Sequence, residues 1–459
     1  MRIIYFFLLL LLLTKIGVLS SGCGQIMTPT GGPRDSLPPK LISANPVTGA
    51  TNFKGNRITL NFNEYIHIEE LQQNLLVSPT PKNNPYIDYK LRTVTIKLRD
   101  TLEPNTTYTI NLGNAIRDVN ENNIIKDFRY AFSTGPFLDS LDLSGKVEVA
   151  ETGKVDSTLL VLLYKNLDDS AVIKQKPKYI ARLNGNGTFT FNNLANGTYK
   201  LYALKDVDGS RTYNSKSEMF AFANVPVIVN TNTKPVMLYA YVEESEKPKL
   251  VTVIADKKLK YTTAISNEKQ SIISDLTLEF NKPLKNFDKQ KILLTDTLNK
   301  VVKNISVTLD TSRRKVTVNT RWNEDAVYKL IILKDFATDS TGVSLTKSDT
   351  IRYTTKKESD YGIIKLTFLN YDQTKNPVLQ FLVNNELVAS YPLTSSIWNA
   401  PLFNAGEYEL RILYDDNKNG KWDAGNFATK KQPEKVYSIS QKLAVRGNFE
   451  KDVDIELPK

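Results

Sequence analysis

Short segments that alternate apolar and polar residues run through most of the chain and limit what it can fold into. Examples are RITLNF at 57–62, TVTIKL at 93–98 and TYTINL at 107–112, which are rich in Val, Ile, Thr, Tyr and Phe. Asn, Gly, Asp or Pro interrupt such segments at intervals of roughly 8–12 residues, the spacing of short strands joined by tight turns. Helical periodicity is scarce. The sequence therefore predicts an all-β protein built from small sandwiches.

Two kinds of unit, A and B, each occur twice. ITLNFNEYI at 58–66 returns as LTLEFNKPL at 276–284, and the segment at 194–214 returns at 403–423. Because a repeated segment marks a repeated structural unit, we expect the order A-B-A-B. The four expected domains are named A1 (40–136), B1 (137–245), A2 (246–356) and B2 (357–459).

Both units resemble known extracellular sandwiches. In A1, PPKLISANPVTGATNFKGNRITLNFNE at 38–64 and YAFSTG at 130–135 resemble the bacterial Ig-like domain of the S-layer type, found in many exported Bacteroidetes proteins. In B1, LSGKV at 143–147 and GNGTFTFNNLANGTYKLYAL at 185–204 resemble the transthyretin-like or carboxypeptidase-regulatory-like sandwich. The resemblance implies tandem sandwiches that act in adhesion, spacing or contact with carbohydrate or protein. It implies no single activity.

The first 22 residues have the features of an export signal. An arginine precedes the apolar run IIYFFLLLLLL at 3–13, and TKIGVLSSG then leads to Cys23, the only cysteine of the protein. The run is shorter than the about 20 apolar residues that a membrane span needs. We therefore expect residues 1–22 to be removed, and residues 23–39, rich in Gly, Pro, Thr and Ser, to form a flexible stalk.

SSGC at 20–23 resembles the lipobox of bacterial lipoproteins, although Ser20 takes the position where Leu is usual. The resemblance implies that Cys23 is lipidated. Two or more acyl chains, at about 0.8 kcal/mol per buried methylene, hold a protein stably on a membrane. An ordinary secretory signal is the alternative, but a lone free thiol is unusual in an exported protein.

The formal net charge of +11 does not indicate nucleic-acid binding. The lysines are scattered along polar segments, without a block of like charges or a basic helix. We therefore predict no nucleic-acid partner, and a surface that favours acidic sugars or anionic lipid headgroups.

Few residues are available for catalysis or for a zinc site. His67 is the only histidine and Cys23 is assigned to the anchor, so neither a nucleophile–histidine pair nor a zinc cluster is expected. A pair of carboxylates would suffice for glycoside hydrolysis, but the short units leave no long segment to wall a cleft. We therefore predict that the protein is not an enzyme.

DDNKNGKWDAGN at 415–426 has the spacing of a calcium loop. Oxygen ligands are expected at alternate positions, from Asp415, Asn417, Asn419, the carbonyl of Lys421, and Asp423. The twelfth position holds Asn in place of the usual Glu, and Asx side chains also stabilise tight turns without a metal. Two interpretations remain open, a weak calcium site with a Kd of about 10⁻⁴–10⁻³ M and a metal-free turn. No other cofactor is expected.

Most aromatic residues occupy alternating strand positions, where they are predicted to form the cores. The best examples are Phe62, Phe189, Phe191, Tyr199 and Tyr408. Trp422 lies inside the calcium-like loop and is the candidate for stacking against a ligand.

The sequence thus predicts a non-catalytic envelope lipoprotein, anchored in the outer membrane by Cys23 and facing the periplasm rather than the cell surface. Its partners would be the membrane, through the lipid anchor, and an envelope protein or glycan. The alternative is a carbohydrate-binding accessory protein on the cell surface.

Overall fold

A computed structural model describes residues 34–243, 258–265 and 268–458. The predicted signal peptide, Cys23 and most of the predicted stalk lie outside these residues. The described residues form two compact units, one of 34–77 with 81–138 and one of 78–80 with 139–458. Within them, no helix combines the length and the hydropathy that crossing a membrane requires.

A1 contains nine strands and the four-residue helix Leu71–Asn74. The strands are β1 (Leu41–Asn45), β2 (Arg57–Phe62), β3 (Ile66–Ile68), β4 (Leu76–Ser78), β5 (Tyr86–Lys90), β6 (Thr93–Lys97), β7 (Thr107–Gly113), β8 (Ile116–Asp118) and β9 (Phe128–Ser133). They pair as a four-stranded sheet β1-β2-β6-β5, a three-stranded sheet β4-β7-β9 and the pair β3-β8.

B1 contains eight strands and the short helix Ala171–Lys174. The strands are β10 (Leu141–Val149), β11 (Leu160–Tyr164), β12 (Tyr179–Arg182), β13 (Thr188–Leu194), β14 (Gly197–Leu204), β15 (Met219–Phe222), β16 (Val227–Val229) and β17 (Val236–Val242). They form one sheet in the order β12-β11-β14-β15-β17-β10-β13, with β16 paired to β14. The pairing of β15 with β17 joins what would otherwise be two sheets.

A2 contains ten strands and the 3-10 turn Lys289–Lys291. The strands are β18 (Tyr261–Thr263), β19 (Lys269–Gln270), β20 (Leu276–Phe280), β21 (Leu284–Phe287), β22 (Ile292–Thr295), β23 (Ser306–Leu309), β24 (Lys315–Asn319), β25 (Val327–Ile332), β26 (Ala337–Asp339) and β27 (Asp349–Thr355). They form two four-stranded sheets, β18-β20-β24-β23 and β19-β27-β25-β22, and the pair β21-β26.

B2 contains seven strands and the 3-10 turns Glu358–Asp360 and Gln373–Lys375. The strands are β28 (Tyr361–Leu369), β29 (Pro377–Val383), β30 (Glu386–Pro392), β31 (Ile397–Asn404), β32 (Gly406–Tyr414), β33 (Lys435–Val445) and β34 (Glu450–Glu456). They form the sheets β31-β28-β34 and β30-β29-β32-β33.

Strand pairing recurs between the two copies of each unit. In both B copies the first strand pairs in parallel with the last, β10 with β17 and β28 with β34. In both A copies a four-stranded sheet has the same order, as β1-β2-β6-β5 and as β18-β20-β24-β23. The repeated sequence segments therefore form equivalent strands.

The described residues contain four large clusters of buried apolar side chains, one in each expected domain. The inward positions alternate with polar ones along the strands, as in β2 and β6. The five aromatic residues predicted to be core are all buried, which confirms that prediction: Phe62, Phe189, Phe191, Tyr199 and Tyr408.

Buried tyrosines join the ends of strands through their hydroxyls in both B copies. The hydroxyl of Tyr199 donates to the carbonyl of Ala195 at 2.9 Å, and that of Tyr408 donates to the carbonyl of Asn404 at the same distance. Each bond closes a turn four residues before the tyrosine. The copies thus share side-chain contacts as well as strand order.

A buried aspartate organises one turn in A1. The side chain of Asp118 accepts hydrogen bonds from the backbone N–H groups of Glu121, Asn122 and Asn123 at 2.6, 3.0 and 2.8 Å. Burial raises the pKa of Asp118, but the three N–H donors outweigh it and leave the pKa below its usual value. In A2, Asp339 occupies the equivalent position and also accepts from Lys282 at 2.8 Å.

We expect Asp118→Ala to lower the melting temperature at pH 7 by roughly 4–8 °C, because three backbone donors lose their acceptor. The folded-state pKa lies below the unfolded value of about 3.9, so the ionised Asp118 stabilises the fold above that pH. This contribution is lost as the pH falls through the folded-state pKa, so the melting temperatures of the wild type and Asp118→Ala should converge.

Thermal unfolding followed by circular dichroism between pH 7 and pH 3 checks this expectation. Asp88→Ala is the matched control, since Asp88 is exposed on β5. A difference between wild type and Asp118→Ala that stays constant down to pH 3 would contradict the role of the ionised carboxylate.

Candidate functional site

The calcium-like segment begins a long loop between β32 and β33, which we name the docking loop (415–434). Asp415 is 2% exposed at its start. Its carboxylate accepts from the N–H groups of Asn419 at 3.2 Å and Gly420 at 2.6 Å. Gly420 has a φ of +74°, a conformation that glycine adopts without strain. The aspartate therefore closes a tight turn.

The structure brings the other predicted ligand residues into the same turn. The side-chain oxygen of Asn417 accepts from the N–H of Asn419 at 3.0 Å, and that of Asn419 accepts from the N–H of Lys421 at 2.7 Å. The amide groups of both asparagines donate to the carboxylate of Asp423, the Asn419 bond being 2.9 Å long. These hydrogen bonds satisfy the polar side chains within the protein.

Glu434 lies behind this turn, is buried, and was not predicted from the sequence. Its carboxylate accepts from the N–H groups of Asp416 at 2.9 Å and Asp423 at 3.0 Å. Burial is the main cause of its raised pKa, and the nearby carboxylates of Asp415 and Asp423 raise the pKa further. Glu434 thus holds both ends of the turn together.

The equivalent loop of B1 is built in the same way. The carboxylate of Asp206 accepts from the N–H of Arg211 at 3.1 Å, five residues later, as Asp415 does from Gly420. Glu218 is buried and accepts from the N–H of Asn214 at 3.2 Å. In both copies the glutamate immediately precedes the next strand, a signal in the repeat that could have identified it.

The two loops differ in length after their shared turn. Glu218 follows Asn214 by four positions, whereas Glu434 follows Asp423 by eleven. The additional residues of the B2 loop lie within 424–433, and they contact B1.

Phe427 is the centre of this contact and is 7% exposed. Its ring lies in an aromatic pocket of B1, with centroid distances of 5.1 Å to Phe220, 5.4 Å to Phe222, 5.9 Å to Tyr202 and 6.2 Å to Tyr213. The rings cross at steep angles, the edge-to-face arrangement that aromatic pairs favour. B2 therefore completes a hydrophobic cluster of B1.

Polar contacts surround the Phe427 ring. The backbone N–H of Phe427 donates to Glu243 at 2.7 Å, and the ammonium group of Lys430 lies 2.9 Å from the carboxylate of Asp169. The side-chain amide of Gln432 donates to the carbonyl of Phe222 at 3.0 Å. This arrangement, an apolar centre with a polar rim, is typical of specific interfaces.

A second contact joins β33 to the turn that follows β10. The N–H of Val436 donates to the carbonyl of Ala150 at 3.1 Å. At Gly153, with a φ of +64°, an added Cβ would lie 2.5 Å from the carbonyl oxygen of Val436, so only glycine permits this approach. Arg411 also donates to the carbonyl of Glu151 at 3.0 Å. B1 and B2 are therefore joined at two places, although all of A2 separates them in the chain.

Trp422 is half-buried at the base of the docking loop. Its indole N–H donates to the carbonyl of Glu434 at 2.8 Å, and its ring packs beside Val378, Leu413 and Val436. The structure thus gives this side chain a packing role. Its role in ligand binding stays a prediction.

No group of three or more His, Cys, Asp or Glu side chains within 34–243, 258–265 and 268–458 is arranged to hold a metal. Calcium binding by the docking loop therefore stays a prediction. His67 lies on β3 beside Glu69, with 3.2 Å between its Nε2 and the carboxylate.

Residues 35–134 match the family model of the bacterial Ig-like domain. The match confirms the Ig-like interpretation of A1. No curated protein matches the chain.

Several solved structures are similar to the chain at low identity. The major pilin subunit BcpA of Bacillus cereus is 12% identical over 69% of this chain and 98% of that chain, with a TM-score of 0.17. The Bacillus anthracis TIE protein is 12% identical over 94% of this chain and 76% of that chain, with a TM-score of 0.18.

We expect Phe427→Ala to lower the free energy of unfolding of the unit 139–458 by about 3–5 kcal/mol, because it empties the aromatic pocket of B1. Urea unfolding of the full chain measures the loss. Phe449→Ala is the matched control, since Phe449 also belongs to B2 and is 64% exposed. Equal unfolding midpoints for the two variants would refute the role of Phe427 in docking.

If the docking loop binds calcium, 10 mM CaCl₂ should raise the melting temperature of the full chain by about 2–4 °C, whereas MgCl₂ should not. The double variant Asp415→Ala/Asp423→Ala should lose the shift, because two of the expected carboxylate ligands are gone. A shift that persists in the double variant, or no shift in the wild type, would leave the metal-free turn as the correct interpretation.

Proposed function

We propose that the protein is a lipid-anchored envelope protein without catalytic activity, whose sandwich domains form a spacer or a binding and adhesion module. The docking of B2 onto B1 through Phe427 carries this proposal. A spacer must keep its length under load, and an interface between domains that are distant in sequence resists extension of the segment between them. The recurring strand order of the A and B copies supports an A-B-A-B succession, with transthyretin-like B domains.

The use of buried carboxylates supports a role without catalysis. Asp118, Asp415 and Glu434 accept hydrogen bonds from backbone N–H groups that hold turns closed. A general acid or base needs a carboxyl group that faces a substrate in a cleft. These residues instead stabilise the loops between strands.

The proposed location rests on the sequence around Cys23. Lipidation of that residue would hold the protein in the outer membrane, and the predicted stalk would separate the first sandwich from the lipid. We propose that the domains face the periplasm.

A second candidate function is carbohydrate binding at the cell surface. It is favoured by A1, where the exposed rings of Tyr65 and Tyr86 lie next to cationic side chains. Exposed aromatic rings of this kind suit the apolar faces of sugars.

Fractionation of cells that produce the wild type or Cys23→Ser tests the anchor. We expect the wild type in the outer-membrane fraction and the variant in the soluble fraction, because the variant lacks the thiol that carries the lipid. Protease added to intact cells should leave the wild type whole and should degrade it once the outer membrane is permeabilised. A variant that stays in the membrane would exclude the anchor, and cleavage in intact cells would favour the surface role.

A further inference from the structure

The outer face of the sheet β1-β2-β6-β5 in A1 carries polar side chains that its core does not use. Ile58 and Val94 are fully buried on the inner face, and the residues that alternate with them point outward. A cavity of about 570 Å³ opens on the outer face. Its lining includes Arg57, Tyr65, Asp88, Lys90, Arg92 and Thr95.

Three cations and one carboxylate line this cavity. The ion pairs formed among the described residues do not involve Arg57, Lys90 or Arg92. Elsewhere on the same domain, Arg117 forms an ion pair with Glu69 at 3.0 Å. The three cations of the outer face form no such ion pair among the described residues. The excess positive charge of this face is therefore available to an anionic ligand.

Exposed tyrosines lie at both ends of the face. Tyr65 is 50% exposed, and the guanidinium of Arg92 lies 5.1 Å from the centre of its ring. Tyr86 is 46% exposed, with Lys97 at 5.8 Å and Arg99 at 5.7 Å from its ring. Such contacts fix the direction of each cation. From its first to its last residue β5 extends for about 13 Å, a length that a short oligosaccharide covers.

We propose that this face of A1 binds a linear polysaccharide that carries carboxylates. Arginine presents donors that match a carboxylate in two parallel hydrogen bonds, so Arg57 and Arg92 supply the charged contacts together with Lys90. The rings of Tyr65 and Tyr86 stack against the apolar faces of sugars. The threonine hydroxyls of β6 lie between these groups and suit the hydroxyls of the ligand.

The carboxylate of Asp88 narrows the class of ligand. Asp88 lies on β5 between Tyr86 and Lys90, on the same outward face. A polymer with a charge on every unit, such as a nucleic acid, would place one charge against this carboxylate. A polysaccharide in which acidic and neutral sugars alternate can place a neutral sugar there. Large apolar residues are scarce in the lining, where Leu91 is the exception, so the face lacks the apolar centre of a protein interface.

Binding of hyaluronate oligosaccharides, in which acidic and neutral sugars alternate, tests the proposal with the full chain in detergent. Titration calorimetry should detect binding that weakens as salt is added, since the contacts are exposed charges. Arg57→Ala and Arg92→Ala should each weaken binding about tenfold or more, the loss expected for one charge-assisted contact. Tyr65→Ala should also weaken it.

Arg129→Ala is the matched control, because it removes one positive charge from A1 at a residue that already pairs with Asp127. It should leave hyaluronate binding unchanged, and neutral dextran should not bind to the wild type. Unchanged melting temperatures would show that the variants fold.

Three results would overturn the proposal: no binding of hyaluronate, an equal loss in Arg129→Ala, or binding of a thymidine oligonucleotide as tight as that of hyaluronate and equally sensitive to Arg57→Ala. The proposal goes beyond the spacer function and rests on the second candidate function, carbohydrate binding by A1, for which it names the class of ligand. Binding of neutral dextran without binding of hyaluronate would overturn this proposal and leave that function in place. The readout of the proposal is binding, so its failure would leave the membrane anchor and the docking of B2 onto B1 untouched.

Discussion

The insertion of Phe427 into the aromatic pocket of B1 is the contact on which the unit 139–458 depends. An aromatic side chain buries a large apolar area, and here four rings of another domain surround it. The contact joins B1 and B2 across the whole of A2. Tandem sandwiches joined only through their linkers would move independently, whereas a buried interface of this kind restricts their motion.

The docking loop also explains why its first half resembles a metal site. Asp415 and the asparagines that follow turn the chain sharply, and Glu434 returns it to β33. The turn positions the additional residues that carry Phe427. Oxygen-rich side chains at alternate positions suit a calcium ion and suit backbone N–H donors equally well. The composition of the turn therefore serves docking, and calcium binding stays a prediction.

The strands and cores could be predicted from the sequence because alternation with a period of two assigns each side chain to a face. Phe62 and Tyr199 are examples, buried where the pattern placed them. The turn at 415–423 could also be located from the sequence, because its Asp, Asn and Gly residues favour a tight turn. Glu434 lies eleven positions after Asp423, so local turn patterns do not connect it with the turn it stabilises, and only the comparison with Glu218 of B1 could have identified it. The roles of Phe427 and Gly153 could not be predicted either, because the rings around Phe427 and the carbonyl beside Gly153 belong to residues more than 200 positions away in the chain.

The sequence by itself determined the all-β class, the repeated units, the residues of the cores and the cysteine on which the proposed anchor rests. These follow from local patterns, in which neighbouring residues define a strand, a turn or a signal. The tertiary structure alone decided which outward-facing residues meet across domains or lie together on one face. Contacts such as that of Phe427 with B1, and the grouping of Arg57, Lys90 and Arg92, depend on how the chain returns upon itself, which local alternation does not encode.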